Sequence, residues 1–234
     1  MHYETKAYKG YEYIVYKLTK NEDSIILNEV IEKAKEDYKK QNKKAPSGEI
    51  RPDDLIYCNN IGGVLAEKVV RLHLQGLIDK HKINARLLPS SFTTHAEHKD
   101  IKIEINGRIK TIEIRSSFNY LTSLENVLTW AFSLLGKYTT SYKLEEPDKD
   151  FYITIIHRYK NREILSKLAN SVEVFIIGGA SREIFNKRGI KNDPKLKQED
   201  ANYLTIRPII SAPNLQLVFN EILENQEEKR VSNY

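Results

Sequence analysis

Residues 100–115 read DIKIEINGRIKTIEIR, and this stretch decides the fold. Asn106-Gly107 stands between two runs in which isoleucine alternates with polar residues. Asn-Gly suits a two-residue type I′ turn, because both central residues of that turn need positive φ. With those two residues as the loop, Ile105 faces Arg108, Ile103 faces Lys110, Ile101 faces Ile112 and Asp100 faces Glu113. Alternation puts Ile101, Ile103, Ile105, Ile112 and Ile114 on one face, which belongs in a core. Asp100, Lys102, Glu104, Thr111, Glu113 and Arg115 lie on the other. Directly opposed residues hold their Cβ atoms about 4.5–5.5 Å apart, so two carboxylates there destabilise the sheet unless a cation or a proton compensates. A hard divalent ion, Mg²⁺ or Mn²⁺, is the natural compensator, with oxygens from Asp100, Glu113, the Ile114 main-chain carbonyl and waters. The alternative is that the carboxylates merely salt-bridge Lys99, Lys102 or Arg115.

Outward from the hairpin, the pattern predicts alternating helices and strands. Upstream, the Tyr- and Lys-rich residues 1–20 read as one strand or an arm. A helix follows from Ser24, with Leu27, Val30, Ile31, Ala34 and Tyr38 at helical spacing, and fails in the run 39–52, where lysines, Pro46, Gly48 and Pro52 mark a loop. A second helix is expected from about Gly62 to Lys80, capped by Asn60, with Leu65, Val69, Leu72 and Gly76 on one stripe. A short strand over Ile83–Leu88 precedes the hairpin. Downstream, a helix is expected over Ser123–Leu135, then a polar loop, then two strands, Phe151–His157 and Val172–Ile177. Their unbroken apolar character marks them as covered on both faces. Pro208 pushes a last strand, YLTIRPII, to an edge, and a terminal amphipathic helix carries Leu215, Val218, Phe219, Ile222 and Leu223 on one side.

Composition narrows the class. The 234 residues are 40% hydrophobic and 29% charged, too apolar for a disordered chain, and are expected to form a single domain. No stretch approaches a membrane span and the first residues lack a secretory signal's apolar core, so a cytosolic location is expected. One cysteine, Cys58, excludes an internal disulfide framework and a cysteine-based zinc site, and reads as a buried or idle thiol. The net charge of +5 is uneven: residues 61–120 hold 10 basic against 6 acidic side chains, whereas both ends are balanced. A locally basic middle suits a polyanion such as nucleic acid, or is simply a solvated charged surface.

The residues Asp100 and Glu113-Ile114-Arg115 resemble the signature of the PD-(D/E)XK nucleases, the superfamily of most type II restriction endonucleases. The order of elements over about residues 61–178 is similar: a helix, three strands, a helix, a strand and a further strand. The resemblance implies an α/β fold with a restriction-endonuclease-like central mixed β-sheet flanked by helices. It implies a homodimeric endonuclease hydrolysing double-stranded DNA with Mg²⁺ or Mn²⁺, in which Asp100, Glu113 and the Ile114 carbonyl hold the ion and Arg115 steadies the attacking water. Glu67, on the preceding helix, would be an additional acidic ligand or a plain solvent-facing glutamate. His98, Lys99, Lys102, Ser116, Ser117 and Asn119 would contact DNA; Ser116, Ser117 and Asn119 equally suit the end of a strand and the cap of the next helix. Two departures stand out. Lys99 replaces proline before Asp100, and Arg115 stands where lysine is expected; arginine does not deprotonate in a protein and so is no general base. A catalytically inactive nucleic-acid-binding or regulatory protein of the same fold is the competing reading.

Four other motifs carry less. His95, Glu97 and His98 are of a type that binds transition metals. Gly178-Gly179 and Asn60-Ile61-Gly62-Gly63 lack the spacing of a nucleotide-binding loop and read as tight turns. Lys39, Lys40, Lys43 and Lys44 read as a solvated loop or a phosphate clamp.

Overall fold

The computed structural model describes residues 2–40, 52–89, 100–139, 147–193 and 202–224, the side chains of Lys40 and Asp100 apart. A seven-stranded mixed sheet with helices against it forms the body, so the protein is of the α/β class. In chain order its strands are β1 (His2–Tyr8), β2 (Tyr11–Thr19), β3 (Ala85–Leu87), β4 (Asp100–Ile105), β5 (Arg108–Phe118), β7 (Phe151–His157) and β8 (Ser171–Ser181). They lie in the order β1-β2-β8-β7-β5-β4-β3. Among the described strands only β5 and β7 run parallel, and the crossover between them contains β6 (Leu134–Thr139). A three-stranded sheet sets β10 (Asn202–Ile206) between β6 and β9 (Ile190–Lys191).

Each face of the large sheet has its own core. On one, Ile101, Ile103, Ile112, Ile114, Ile153 and Ile155 pack with apolar residues of α1 (Lys20–Lys40), α2 (Asp53–His81), α4 (Ile164–Ala169) and α6 (Leu215–Leu223). On the other, Tyr152, Ile156 and Ile177 pack with Val127, Leu128, Leu134, Ile206 and Phe185, the last on α5 (Arg182–Arg188). Every residue of β7 is buried, as its unbroken apolar run requires. Cys58 is buried, and burial pushes its thiol pKa up.

Several boundaries differ from the expectation. The first twenty residues form a hairpin, not one strand: Lys9 and Gly10 take φ of 49° and 79°, the turn of Asn106-Gly107 without its sequence mark. Helix α2 begins nine residues before Gly62, at Asp53, behind Pro52. Asn60 is therefore no cap; it lies buried inside α2 and donates from Nδ2 to the Ala34 carbonyl of α1 at 3.0 Å. The buried stripe runs through Leu65, Val69, Val70, His73 and Leu77, while Gly76 is exposed. Gly62 is a contact position in that helix, since a Cβ there would lie 2.7 Å from the Phe118 ring.

The helix expected over Ser123–Leu135 stops early. Ser123 accepts from the Asn126 amide, α3 (Leu124–Asn126) passes into a π turn over Val127–Ala131, and the chain then extends into β6. Leu134 is fully buried opposite Ile206 of β10, so sheet pairing and burial override helical spacing there. Gly178-Gly179 lies inside β8 rather than in a turn; a Cβ on Gly179 would meet the Tyr152 carbonyl at 2.9 Å, and the register with β7 shifts beside it. Pro208 falls beyond the end of β10, which is consequently the middle strand of its sheet and not an edge.

Candidate functional site at the β4–β5 hairpin

The hairpin has the register that its turn dictates: Ile105 pairs with Arg108, Ile101 with Ile112 and Asp100 with Glu113. Asn106 and Gly107 take φ of 49° and 77°. The two-residue loop makes Ile105 and Arg108 a hydrogen-bonded pair, so Asp100 and Glu113 occupy a non-hydrogen-bonded position, where opposed backbones come closest. The same alternation turns the main-chain groups of Thr111 and Glu113 towards β7, as the 3.1 Å bond from the Asp150 amide to the Thr111 carbonyl records. Ile112 and Ile114 then turn theirs towards β4. Since β4 begins at Asp100, the Ile114 carbonyl is directed to the flank beyond that residue.

Glu113 is buried, 7% exposed, on the face that carries the second core. Arg115 makes an ion pair with it, Nη1 to Oε1 3.1 Å. The guanidinium also donates from Nη2 to the Gly136 carbonyl of β6 at 3.1 Å, and lies 5.7 Å from the Tyr138 ring and 6.0 Å from the Tyr152 ring. A planar, permanently charged donor suits that setting: one edge is fixed by main chain and another holds the carboxylate. Asp150, just before β7, accepts from both the amide and the hydroxyl of Thr111 with one carboxylate oxygen, at 2.8 and 2.9 Å, which clamps β7 to the hairpin below Glu113. Lys149 beside it is buried, 4% exposed.

Other expected residues are placed differently. Glu67 is neither solvent-facing nor beside Glu113. It is buried on α2, whose apolar stripe packs against Ile112 and Ile114, the face of β5 opposite to Glu113. Its own partners are Arg71, Nε to Oε1 2.9 Å, and Lys33 at 3.7 Å, in a groove of about 380 Å³ between α1 and α2. Ser116 and Ser117 continue β5, paired with Ile155 and Ile156, and do not cap the next helix. Asn119 accepts from Arg158 Nη1 at its main-chain carbonyl, 2.6 Å, and at its side-chain oxygen, 3.3 Å. Lys102 pairs with Thr111 on the face of Glu113. His95, Glu97, His98 and Lys99 lie outside the described residues, as do Lys43 and Lys44.

Two buried histidines were not singled out by sequence. His157 donates from Nε2 to the Gly62 carbonyl at 3.0 Å and faces the Tyr159 hydroxyl through Nδ1 at 3.2 Å; burial lowers its pKa to about 4. His73 shares a 2.9 Å hydrogen bond with the Tyr16 hydroxyl, and burial lowers its pKa to about 4 as well. Their mark in the sequence is a histidine within an apolar strand or stripe.

Among the described residues, no three His, Cys, Asp or Glu side chains gather as a metal-binding group. The hairpin register sets two acidic residues, Asp100 and Glu113, opposite each other beside the Ile114 carbonyl, a set of oxygen donors. Such a set fits Mg²⁺ or Mn²⁺, which keep several waters when bound, better than a softer metal.

The fold and the hairpin thus define an α/β protein whose mixed sheet carries an acidic pair and an arginine on one face. No family model matches the chain and no solved structure matches it. The chain is 31% identical over 228 residues to MJECS01, an uncharacterized protein of Methanocaldococcus jannaschii, covering 85% of this chain and 82% of the other. It belongs to that protein's family.

Proposed function

We propose that the protein is a Mg²⁺-dependent endonuclease acting on double-stranded DNA, a type II restriction enzyme of the PD-(D/E)XK kind. The observation that carries the reading is the register: Asp100 lies opposite Glu113, with Arg115 two residues on along the same face. The surrounding order supports it. Helix α2, the antiparallel strands β3, β4 and β5, and a crossover to the parallel strand β7 follow the sequence of elements of the nucleases that this chain resembles. Asp100, Glu113 and the Ile114 carbonyl would hold the ion, which when bound polarises the phosphate and lowers the pKa of a bound water. Arg115, fixed at Gly136, holds Glu113 in place and offers cationic donors to a phosphate oxygen. Lys102 adds positive charge on the same face.

A second reading is favoured by the ion pair itself. Arg115 engages Glu113 directly, the use to which a structural arginine puts a buried carboxylate, and this suits a nucleic-acid-binding or regulatory protein without catalysis. One experiment separates the two. The protein is incubated with unmethylated phage and plasmid DNA in Mg²⁺, Mn²⁺ or EDTA, beside a variant carrying Asp100→Asn and Glu113→Gln. Discrete metal-dependent bands, lost in the variant, are expected. Salt-sensitive binding with intact DNA in every metal supports a nucleic-acid-binding protein without catalysis, and no binding at all overturns every nucleic-acid reading and leaves a regulatory protein.

A further inference from the structure

Strand β1 forms one edge of the large sheet, and its residues His2 to Ala7 are exposed on both faces. Among the described residues it pairs with β2 alone, and it has no proline and no bulge in its register. A hairpin arm that buries so little is marginal by itself, and an unblunted edge is a template for another strand. The opposite edge, β3, spans only three residues.

Which main-chain groups face outwards follows from the turn. The two-residue loop Lys9-Gly10 makes Tyr8 and Tyr11 a hydrogen-bonded pair, so Tyr8, Lys6 and Glu4 direct their main-chain groups to β2. Tyr3, Thr5 and Ala7 direct theirs to the open edge. We infer that β1 pairs antiparallel with β1 of a second copy of this chain, Thr5 opposite Thr5, so that the two large sheets become continuous.

The charges select this register. Centred on Thr5, Tyr3 and Ala7 of one copy bond to Ala7 and Tyr3 of the other, using every outward group of those residues. Glu4 and Lys6, side by side on one face at 3.2 Å, then stand opposite Lys6 and Glu4 of the second copy. They do so in non-hydrogen-bonded positions, where cross-strand side chains are closest. A slide of two residues one way opposes Glu4 to Glu4, and a slide the other way opposes Lys6 to Lys6. Of these three registers, the one centred on Thr5 alone sets opposite charges against each other. This assignment does not depend on the nuclease reading.

The test is the molar mass of the full chain by light scattering and sedimentation equilibrium. The parent protein is expected to dimerise. Glu4→Lys alone and Lys6→Glu alone each place like charges in opposition twice, and each is expected to raise the dimer dissociation constant about tenfold or more. An equimolar mixture of the two variants is expected to recover the parent's dimer, because every lysine then faces a glutamate. Thr5→Pro removes an outward amide while leaving the bonds to β2, and is expected to give a folded monomer. A monomeric parent, single variants as dimeric as the parent, or a mixture that stays monomeric would each overturn the inference.

Discussion

His157 gives the most direct test of how the core is built, through the pH dependence of stability. Its ring is fully buried, 4.8 Å from the Phe118 ring between centroids. The Gly62 carbonyl can only accept, so Nε2 carries the proton and Nδ1 is left to accept from the Tyr159 hydroxyl; the neutral ring satisfies both. Protonation would put a charge where no water reaches, which holds the pKa at about 4 against an ordinary 6.5. The unfolded chain takes up a proton below about pH 6.5 that the folded chain refuses until about pH 4. Stability from this group is therefore complete above 6.5, falls by about 1.4 kcal/mol per pH unit below it, and levels off near 4, a loss of about 3 kcal/mol. His157→Gln keeps a donor for Gly62 and removes the titration. Urea unfolding followed by circular dichroism should find the variant less stable than the parent at neutral pH, with the gap closing by about 3 kcal/mol towards pH 4. Parallel stability curves for the two proteins over that range would refute the reasoning.

Two further outcomes are expected. Lys110 Nζ donates to the carbonyls of Glu221, Ile222 and Glu224, which close the C-terminus of α6. Lys110→Met should cost about 1–2 kcal/mol in urea unfolding and speed amide exchange in α6, since it removes both the donors and the charge that complements the helix end. Gly62→Ala should destabilise by about 1–3 kcal/mol despite alanine's better helix propensity, because the new Cβ would lie 2.7 Å from the Phe118 ring. An alanine variant as stable as the parent by thermal unfolding would show that the ring yields freely.

What the sequence determined by itself is whatever depends on near neighbours and on period. Asn106-Gly107 sets the hairpin register, because turn geometry allows one pairing, and the register alone puts Asp100 opposite Glu113. The unbroken run of β7 and the apolar stripe of α6 were legible for the same reason: burial on two faces or on one leaves a period in the residues. Tertiary structure decided the rest. Leu134 has helical spacing with the residues before it, but the pairing of β6 with β10 buries it in a strand. Gly178-Gly179 has the composition of a turn, yet it lies inside β8, where a Cβ on Gly179 would meet the Tyr152 carbonyl at 2.9 Å and one on Gly178 the Tyr11 hydroxyl at 2.6 Å. Lys9-Gly10 adopts the same turn as Asn106-Gly107 with no local mark, because the pairing of β1 with β2 imposes it. Glu67 and Glu113 both belong to the same expected order of elements, but a sheet has two faces. Only packing decides that α2 covers the isoleucine side and leaves Glu113 to Arg115 on the other.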